Sequence, residues 1–129
     1  MRQDLDDVLC ERYRHLFRDR HSNGAQSNMH RGFCCGDGWF DIIDTLCASL
    51  SAGVKVGAIP AVLAIEVKEK LGTLRFRIQG GNAEAHRLVA LAEQKSARIC
   101  ELCGQPGMLQ KLEGLQVLCP GCILKGDRR

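Results

Sequence analysis

Residues 100–122 read CELCGQPGMLQKLEGLQVLCPGC, with two Cys-x-x-Cys pairs that stand fifteen residues apart. The pairs are Cys100 with Cys103 and Cys119 with Cys122. This spacing is typical of a zinc ribbon, in which two tight turns direct four thiolates toward one tetrahedral Zn²⁺. The stretch therefore predicts one structural zinc ion per chain.

Dithiol exchange is the alternative chemistry for these cysteines, because a single Cys-x-x-Cys motif is also a redox motif. Two motifs at ribbon spacing favour metal binding. A site closed by four thiolates leaves no position for water, so we expect it to stabilise the fold and not to hydrolyse a substrate. With its metal bound, the chain's formal charge of +3 falls to about +1, too little for a general attraction to nucleic acid.

The rest of the chain has the composition of one small globular domain. Its 129 residues are 45% apolar but only 5% aromatic, so aliphatic side chains must fill the core. The longest apolar run, residues 56–67, is interrupted by Gly57 and Pro60 and is shorter than the roughly 20 residues that cross a bilayer. The first residues are polar and acidic, unlike a signal peptide. We therefore expect a cytoplasmic protein without membrane contact, in which paired cysteines bind metal.

Hydrophobic periodicity predicts three helices and one hairpin before the cysteines. Apolar residues at three- and four-residue steps predict helices over residues 4–19, 39–52 and 82–98. Alternating apolar and charged residues predict an antiparallel hairpin with strands over 63–68 and 74–79. Glu66 is then expected to lie close to a hairpin arginine on the neighbouring strand.

Two further expectations concern the connections. Residues 20–38 are predicted to be a loop, because Ser22-Asn23-Gly24 and Gly36-Asp37-Gly38 are turn signals. A loop of about 19 residues is long enough to be either functional or disordered. Gly53 is expected to take the left-handed position after the second helix.

Together these elements predict an α+β fold, in which a β-hairpin packs with three helices and a four-cysteine zinc ribbon follows. The α+β core is expected to cover residues 1–99 and the ribbon residues 100–124. Within the ribbon, strands are expected near 108–109 and 115–118, and residues 125–129 form a short basic tail.

Four more cysteines lie outside the ribbon. Cys10 and Cys47 fall at or beside the apolar faces of predicted helices, where small buried thiols are common. A second metal site from His30, Cys34 or Cys35, and Cys47 stays open, although its spacing matches no established pattern. A cysteine nucleophile paired with His30 is a further alternative, for which the sequence offers no third group to orient the base.

No catalytic residue is predicted. The sequence contains neither a phosphate-binding loop motif nor the His-Glu-x-x-His and Gly-x-Ser-x-Gly motifs of hydrolases. We therefore expect a protein that is not an enzyme and has no small-molecule substrate.

Candidate partner contacts are Lys68, Arg75, Arg77 and Trp39. The three cations lie on the polar face of the predicted hairpin, as either a solvated surface or a basic strip for an acidic partner or phosphates. No aromatic residue alternates with them, which argues against stacking on single-stranded bases. Trp39, the single tryptophan, is either a core residue or an interface anchor.

Three segments also resemble a known family: GDGWFDII at 36–43, VKEKLGTLRF at 67–76 and CELCGQPG at 100–107. In this order they resemble a family of small, uncharacterised proteins of bacteriophages and prophages, over about residues 33–123. The family commonly has an aromatic residue where this chain has Arg77. The resemblance implies a phage-encoded accessory protein that acts in the host cytoplasm.

A non-enzymatic protein that binds a macromolecular partner is the function these observations favour. The partner is expected to be a host or phage protein complex, and inhibition of a bacterial defence complex is one concrete form. The alternative is a nucleic-acid-binding zinc-ribbon regulator, whose affinity would fall steeply with salt.

Overall fold

A computed structural model describes residues 1–22, 24 and 27–125. Over these residues the protein is α+β, with four α-helices and two separate small sheets. The helices are α1 (Gln3–Arg12), α2 (Phe40–Lys55), α3 (Ala83–Ser96) and α4 (Pro120–Leu124). The strands are β1 (Phe33–Cys34), β2 (Val62–Lys70), β3 (Thr73–Gly80), β4 (Met108–Lys111) and β5 (Leu115–Leu118).

The first helix is shorter than predicted, because α1 ends at Arg12 and not at residue 19. Tyr13 leaves the helical backbone with φ −127° and ψ 54°, and its hydroxyl donates to the Asp44 carboxylate at 2.6 Å. The turns that follow still bury Leu16 and Phe17. Successive turns can repeat apolar residues at helical steps, and so periodicity alone overestimated the length of the helix.

The segment predicted as a loop, residues 20–38, contains regular structure. It holds β1 and two short 3₁₀ helices, at Met29–Arg31 and Asp37–Trp39. β1 pairs in parallel with β2, so that the larger sheet has the order β1-β2-β3. β1 and β2 lie far apart in the sequence, and a strand of two residues is too short to produce a recognisable local pattern. Asn23, in one of the predicted turns, lies outside the described residues.

β2 and β3 form an antiparallel hairpin whose turn consists of Leu71 and Gly72. Both residues have positive φ, 54° and 91° respectively. These values fit a type I′ turn, which matches the right-handed twist of the flanking strands. Glycine adopts this conformation freely, whereas a leucine in it is strained.

A β-bulge at Ile65 changes the alternation predicted for β2. Ala64 lies opposite Ile78, yet Glu66 lies opposite Arg77, so one extra residue stands in β2 between these pairs. Strict alternation from Leu63 to Val67 would place Ala64 on the polar face, but with the bulge it lies in the core, where it is fully buried.

α3 covers the free edge of β3. The Leu74 N–H donates to the Ser96 Oγ, and the Phe76 N–H donates to the Glu93 Oε2, each at 2.9 Å. These side chains satisfy backbone donors that would otherwise be open to another strand. At its start α3 has the predicted cap, since the Asn82 side chain accepts a hydrogen bond from the first turn. The helix ends at Ser96, two residues before the predicted end.

α2 begins at Phe40 and continues to Lys55, beyond the predicted end at residue 52. Gly53 therefore lies inside the helix, and Gly57, with φ 82°, takes the left-handed position. A Cβ at Gly53 would stand 2.4 Å from the Ile59 Cδ1. The Ile59 side chain thus packs closely on α2 at this glycine.

One apolar core joins α1, the larger sheet, α2 and α3. The ribbon has a smaller buried cluster, made of three of its cysteines and Leu118. Of the predicted basic tail, residues 126–129 lie outside the described residues. The largest fully buried side chains of the main core are Trp39, Phe76, Leu9, Met29, Ile43 and Leu50.

Candidate metal centre

The four ribbon cysteines converge on one point. Their Sγ atoms all lie within 4.8 Å of one another, and those of Cys103 and Cys119 are 3.5 Å apart. Ligands of a tetrahedral zinc site with Zn–S bonds of about 2.3 Å stand about 3.8 Å apart. A disulfide would require about 2.05 Å. The donor set and spacing therefore fit a metal ion held by four thiolates.

Backbone hydrogen bonds shape the first turn of the site. The Cys100 N–H donates to the Gln105 carbonyl at 2.7 Å, and the Gly104 N–H donates to the Cys100 carbonyl at 2.9 Å. Gly104 has φ 85°, a conformation that a Cβ would strain. These bonds hold Cys100 in the interior while Cys103 stays exposed.

The second turn is the beginning of α4. Cys119 is extended and caps the helix, and Pro120 occupies one of its first two positions. The Cys122 N–H donates to the Cys119 Sγ at 3.4 Å and lowers the pKa of the Cys119 thiol to about 7. Burial raises the pKa of the Cys122 thiol well above its ordinary value. A metal is bound by thiolates, so a cation at this site would offset the effect of burial on Cys122.

The Gly36-Asp37-Gly38-Trp39 segment packs directly on the first cysteine turn. The Gly38 N–H donates to the Glu101 carbonyl at 2.7 Å, and the Gly36 N–H donates to the Glu101 Oε2 at 2.9 Å. The Trp39 indole Nε1 donates to the Ile99 carbonyl at 2.9 Å. The metal site and the N-terminal part of α2 are thus one connected structure.

Both glycines of this segment are required by the close approach. A Cβ at Gly38 would stand 2.1 Å from the Cys100 carbonyl oxygen, and one at Gly36 would stand 2.3 Å from the Glu101 carbonyl oxygen. Sequence reasoning interpreted the two glycines as turn residues and missed Glu101, which is fully buried. The sequence signal for this close approach was the pair Gly36 and Gly38, two residues apart and directly before Trp39.

The remaining cysteines do not form a second centre. Within the described residues, the four ribbon cysteines are the one group of three or more His, Cys, Asp or Glu side chains whose ligand atoms converge. Cys34 is exposed on β1, whereas Cys47 is fully buried in α2. Burial raises the pKa of the Cys47 thiol, and burial together with Asp6 raises that of Cys10 to about 12. Neither thiol is activated as a nucleophile.

The candidate partner residues fall into two groups. Lys68, Arg75 and Arg77 lie on the outer face of the larger sheet, around the buried Glu66 carboxylate. Arg77 is hydrogen-bonded to Glu66 at 3.0 Å, and Lys68 lies 3.5 Å from it. Trp39 has no exposed surface and lies in the core, which removes it from the candidate contacts.

Among the described residues, every helix is too short or too polar to cross a lipid bilayer. Comparison with protein-family models, curated proteins and solved structures finds no match to this chain.

Proposed function

We propose that this chain is a zinc-stabilised, non-enzymatic binding protein that meets an acidic protein surface with the outer face of its larger sheet. The proposal rests on two observations: four cysteine sulfurs lie within 4.8 Å of one another, and one face of the larger sheet is rich in unburied cations. The metal site would make the molecule rigid, and the outer face of the larger sheet would bind the partner.

Zinc is the metal that this donor set favours. Four thiolates fill a tetrahedral coordination shell, so that bound Zn²⁺ keeps no open position for water or substrate. Such a centre would fix the cysteine turns and, through Glu101 and Trp39, the start of α2. Its role in this proposal is structural.

The sheet face offers a cluster of four cations around one anion. Lys68 and Lys70 of β2 lie opposite Arg75 and Thr73 of β3, and Arg77 lies opposite Glu66. Burial opposes ionisation of Glu66, but the hydrogen bond from Arg77 and the charge of Lys68 outweigh it and lower the pKa of this carboxyl. One carboxylate does not neutralise four cations, and the face keeps a net positive charge suited to a partner's carboxylates.

A host or phage protein complex is the kind of partner we propose, because the sequence resembles a phage protein family. Inhibition of a bacterial defence complex is one form that such binding could take. The same cations make duplex nucleic acid the competing candidate, since phosphates would also satisfy them.

The test compares a sheet-face variant with a matched control. Lys70→Glu with Arg75→Glu reverses two charges and leaves both ion-pair partners of Glu66, Lys68 and Arg77, in place. Arg14→Glu with Lys55→Glu reverses two exposed charges elsewhere. Tagged, zinc-loaded protein is used to capture partners from phage-infected cells, with mass spectrometry of the captured proteins and a duplex DNA shift assay at low salt.

A protein captured by the wild type and the control, but lost with the sheet-face variant, supports the proposal. Equal capture by all three proteins contradicts the assignment of the surface. DNA binding that weakens steeply with salt and depends on Lys70 and Arg75 would replace the protein partner with nucleic acid. Turnover of a nucleotide or cleavage of nucleic acid, abolished by a single substitution, would overturn the non-enzymatic assignment.

A further inference from the structure

A second surface of the molecule, away from the residues of the sheet face, forms a groove between α2 and α3. Its volume is about 440 Å³. One wall is formed by each helix, from residues at i, i+4 and i+7. The main lining residues are Ile42, Leu46 and Ser49 on α2, and Leu88, Ala92 and Lys95 on α3.

The shape of the groove suits a helix. Each wall follows one stripe of its helix over about two turns, or about 10 Å, and two packed helices present ridges into which a third helix can fit. The floor is apolar: Leu46 and Ala92 are almost fully buried, and Ile42 and Leu88 are partly exposed. Ser49 is a small residue that leaves room between the walls.

Two cations stand at one end of this groove. Lys95 and Arg98 both line it. Within the part of the chain that the structure describes, neither the Lys95 ammonium nor the Arg98 guanidinium makes an ion pair or hydrogen bond. Some other exposed arginines are paired, such as Arg87, which binds Glu84 at 2.7 Å. A bound partner with carboxylates at this end of the groove would form ion pairs with Lys95 and Arg98.

The end of the groove is also rigid. The Gly107 N–H donates to the Arg98 carbonyl at 2.8 Å, and the Ile99 carbonyl accepts the Trp39 indole N–H. Ile99 also pairs with Pro106 in an isolated β-bridge. Because Arg98 and Ile99 are both fixed by these backbone contacts, little backbone order would have to be gained on binding.

We propose that the α2–α3 groove binds an amphipathic helix of a partner protein, with the apolar face of that helix on Leu46 and Ala92 and its acidic end at Lys95 and Arg98. This mode of recognition places apolar anchors at i, i+4 and i+7 in a hydrophobic groove. The site is separate from the sheet face, so the groove can bind whether or not the function proposed for that face is correct.

The probe is a fluorescein-labelled peptide of about 18 residues, long enough for helix formation, with leucines at i, i+4 and i+7 and glutamates in its last turn. A matched peptide has lysines in place of the glutamates. Zinc-loaded protein is titrated into each, and anisotropy gives the Kd. The protein variants are Lys95→Glu with Arg98→Glu, the control Lys55→Glu with Arg87→Glu, and Ser49→Trp, which fills the groove.

We expect the acidic peptide to bind the wild type and the control alike. The Lys95→Glu, Arg98→Glu variant should raise its Kd at least about tenfold and prefer the lysine peptide, while Ser49→Trp should weaken both. Equal affinity of the wild type for the two peptides, or no binding of the acidic one, overturns the proposal.

Two other occupants are tested with the same proteins. Binding to phosphatidylglycerol vesicles that needs Lys95 and Arg98, without peptide binding, would assign the groove to a membrane surface and overturn the proposal. A dimer in light scattering that Ser49→Trp dissociates would assign it to a second copy of the chain, with the same consequence.

Discussion

At the scale of single residues, the hairpin turn contains the clearest local conflict between sequence and conformation. Leu71 has φ 54° and is 65% exposed, so it combines a left-handed backbone with little burial. A left-handed backbone costs an ordinary L-amino acid roughly 1–2 kcal/mol in conformational free energy. Asparagine tolerates this backbone far better than leucine does.

Leu71→Asn is therefore expected to raise the free energy of unfolding by about 0.5–1 kcal/mol. Urea denaturation of the zinc-loaded protein measures the change. Val56→Asn is the control, because Val56 is 77% exposed but has an ordinary φ of −87°. A loss of stability with Leu71→Asn would show that the leucine side chain contributes more by contact than its backbone costs.

At the scale of elements, the contact between α3 and β3 depends on two polar side chains of α3, Ser96 and Glu93. The Ser96 hydroxyl accepts the Leu74 N–H and donates to the Glu93 carbonyl at 2.6 Å. Ser96 is fully buried, so water does not replace it as a partner.

Ser96→Ala should lower the free energy of unfolding by about 1–3 kcal/mol, because it leaves the Leu74 N–H buried without an acceptor. The small change in volume keeps the packing almost unchanged, which isolates the hydrogen bond. Ser51→Ala on the exposed side of α2 serves as the control and should change stability by less than about 0.5 kcal/mol. If both variants are equally stable, the Leu74 N–H finds another acceptor.

The elements also show which parts of the fold could be predicted from the sequence. α3 with its Asn82 cap and the β2–β3 hairpin have strong local signals, a capping side chain and a two-residue period. The bulge at Ile65 and the strand β1 depend on pairing with distant residues, which periodicity does not contain. Local patterns thus predicted the long elements, and tertiary pairing determined the irregular ones.

At the scale of the whole molecule, the same division applies to the metal centre. Cysteine spacing was enough to predict which four cysteines converge, because a Cys-x-x-Cys turn is itself a local structure. The contact of Gly36 and Gly38 with Glu101 spans more than sixty residues and was not foreseen. That contact would carry the effect of a bound metal into the main core, since it joins the cysteine turn to the segment before α2.

Removal of the metal should consequently be detected at Trp39, the single tryptophan. Its indole is fully buried and donates to the carbonyl of Ile99, the residue before Cys100. A chelator should lower the Tm and shift the tryptophan emission to longer wavelength as the cysteine turn loosens, and added Zn²⁺ should reverse both changes. Elemental analysis should find about one zinc per chain.

Cysteine variants make this prediction specific. Cys119→Ser should reduce the zinc content and produce the same shift in emission without a chelator, whereas Cys34→Ser, at the exposed position of β1, should retain one zinc and the native spectrum. Two zinc ions per chain would contradict the assignment of a single centre. An unchanged tryptophan spectrum after complete loss of zinc would mean that the Glu101 and Ile99 contacts hold the start of α2 without help from the metal.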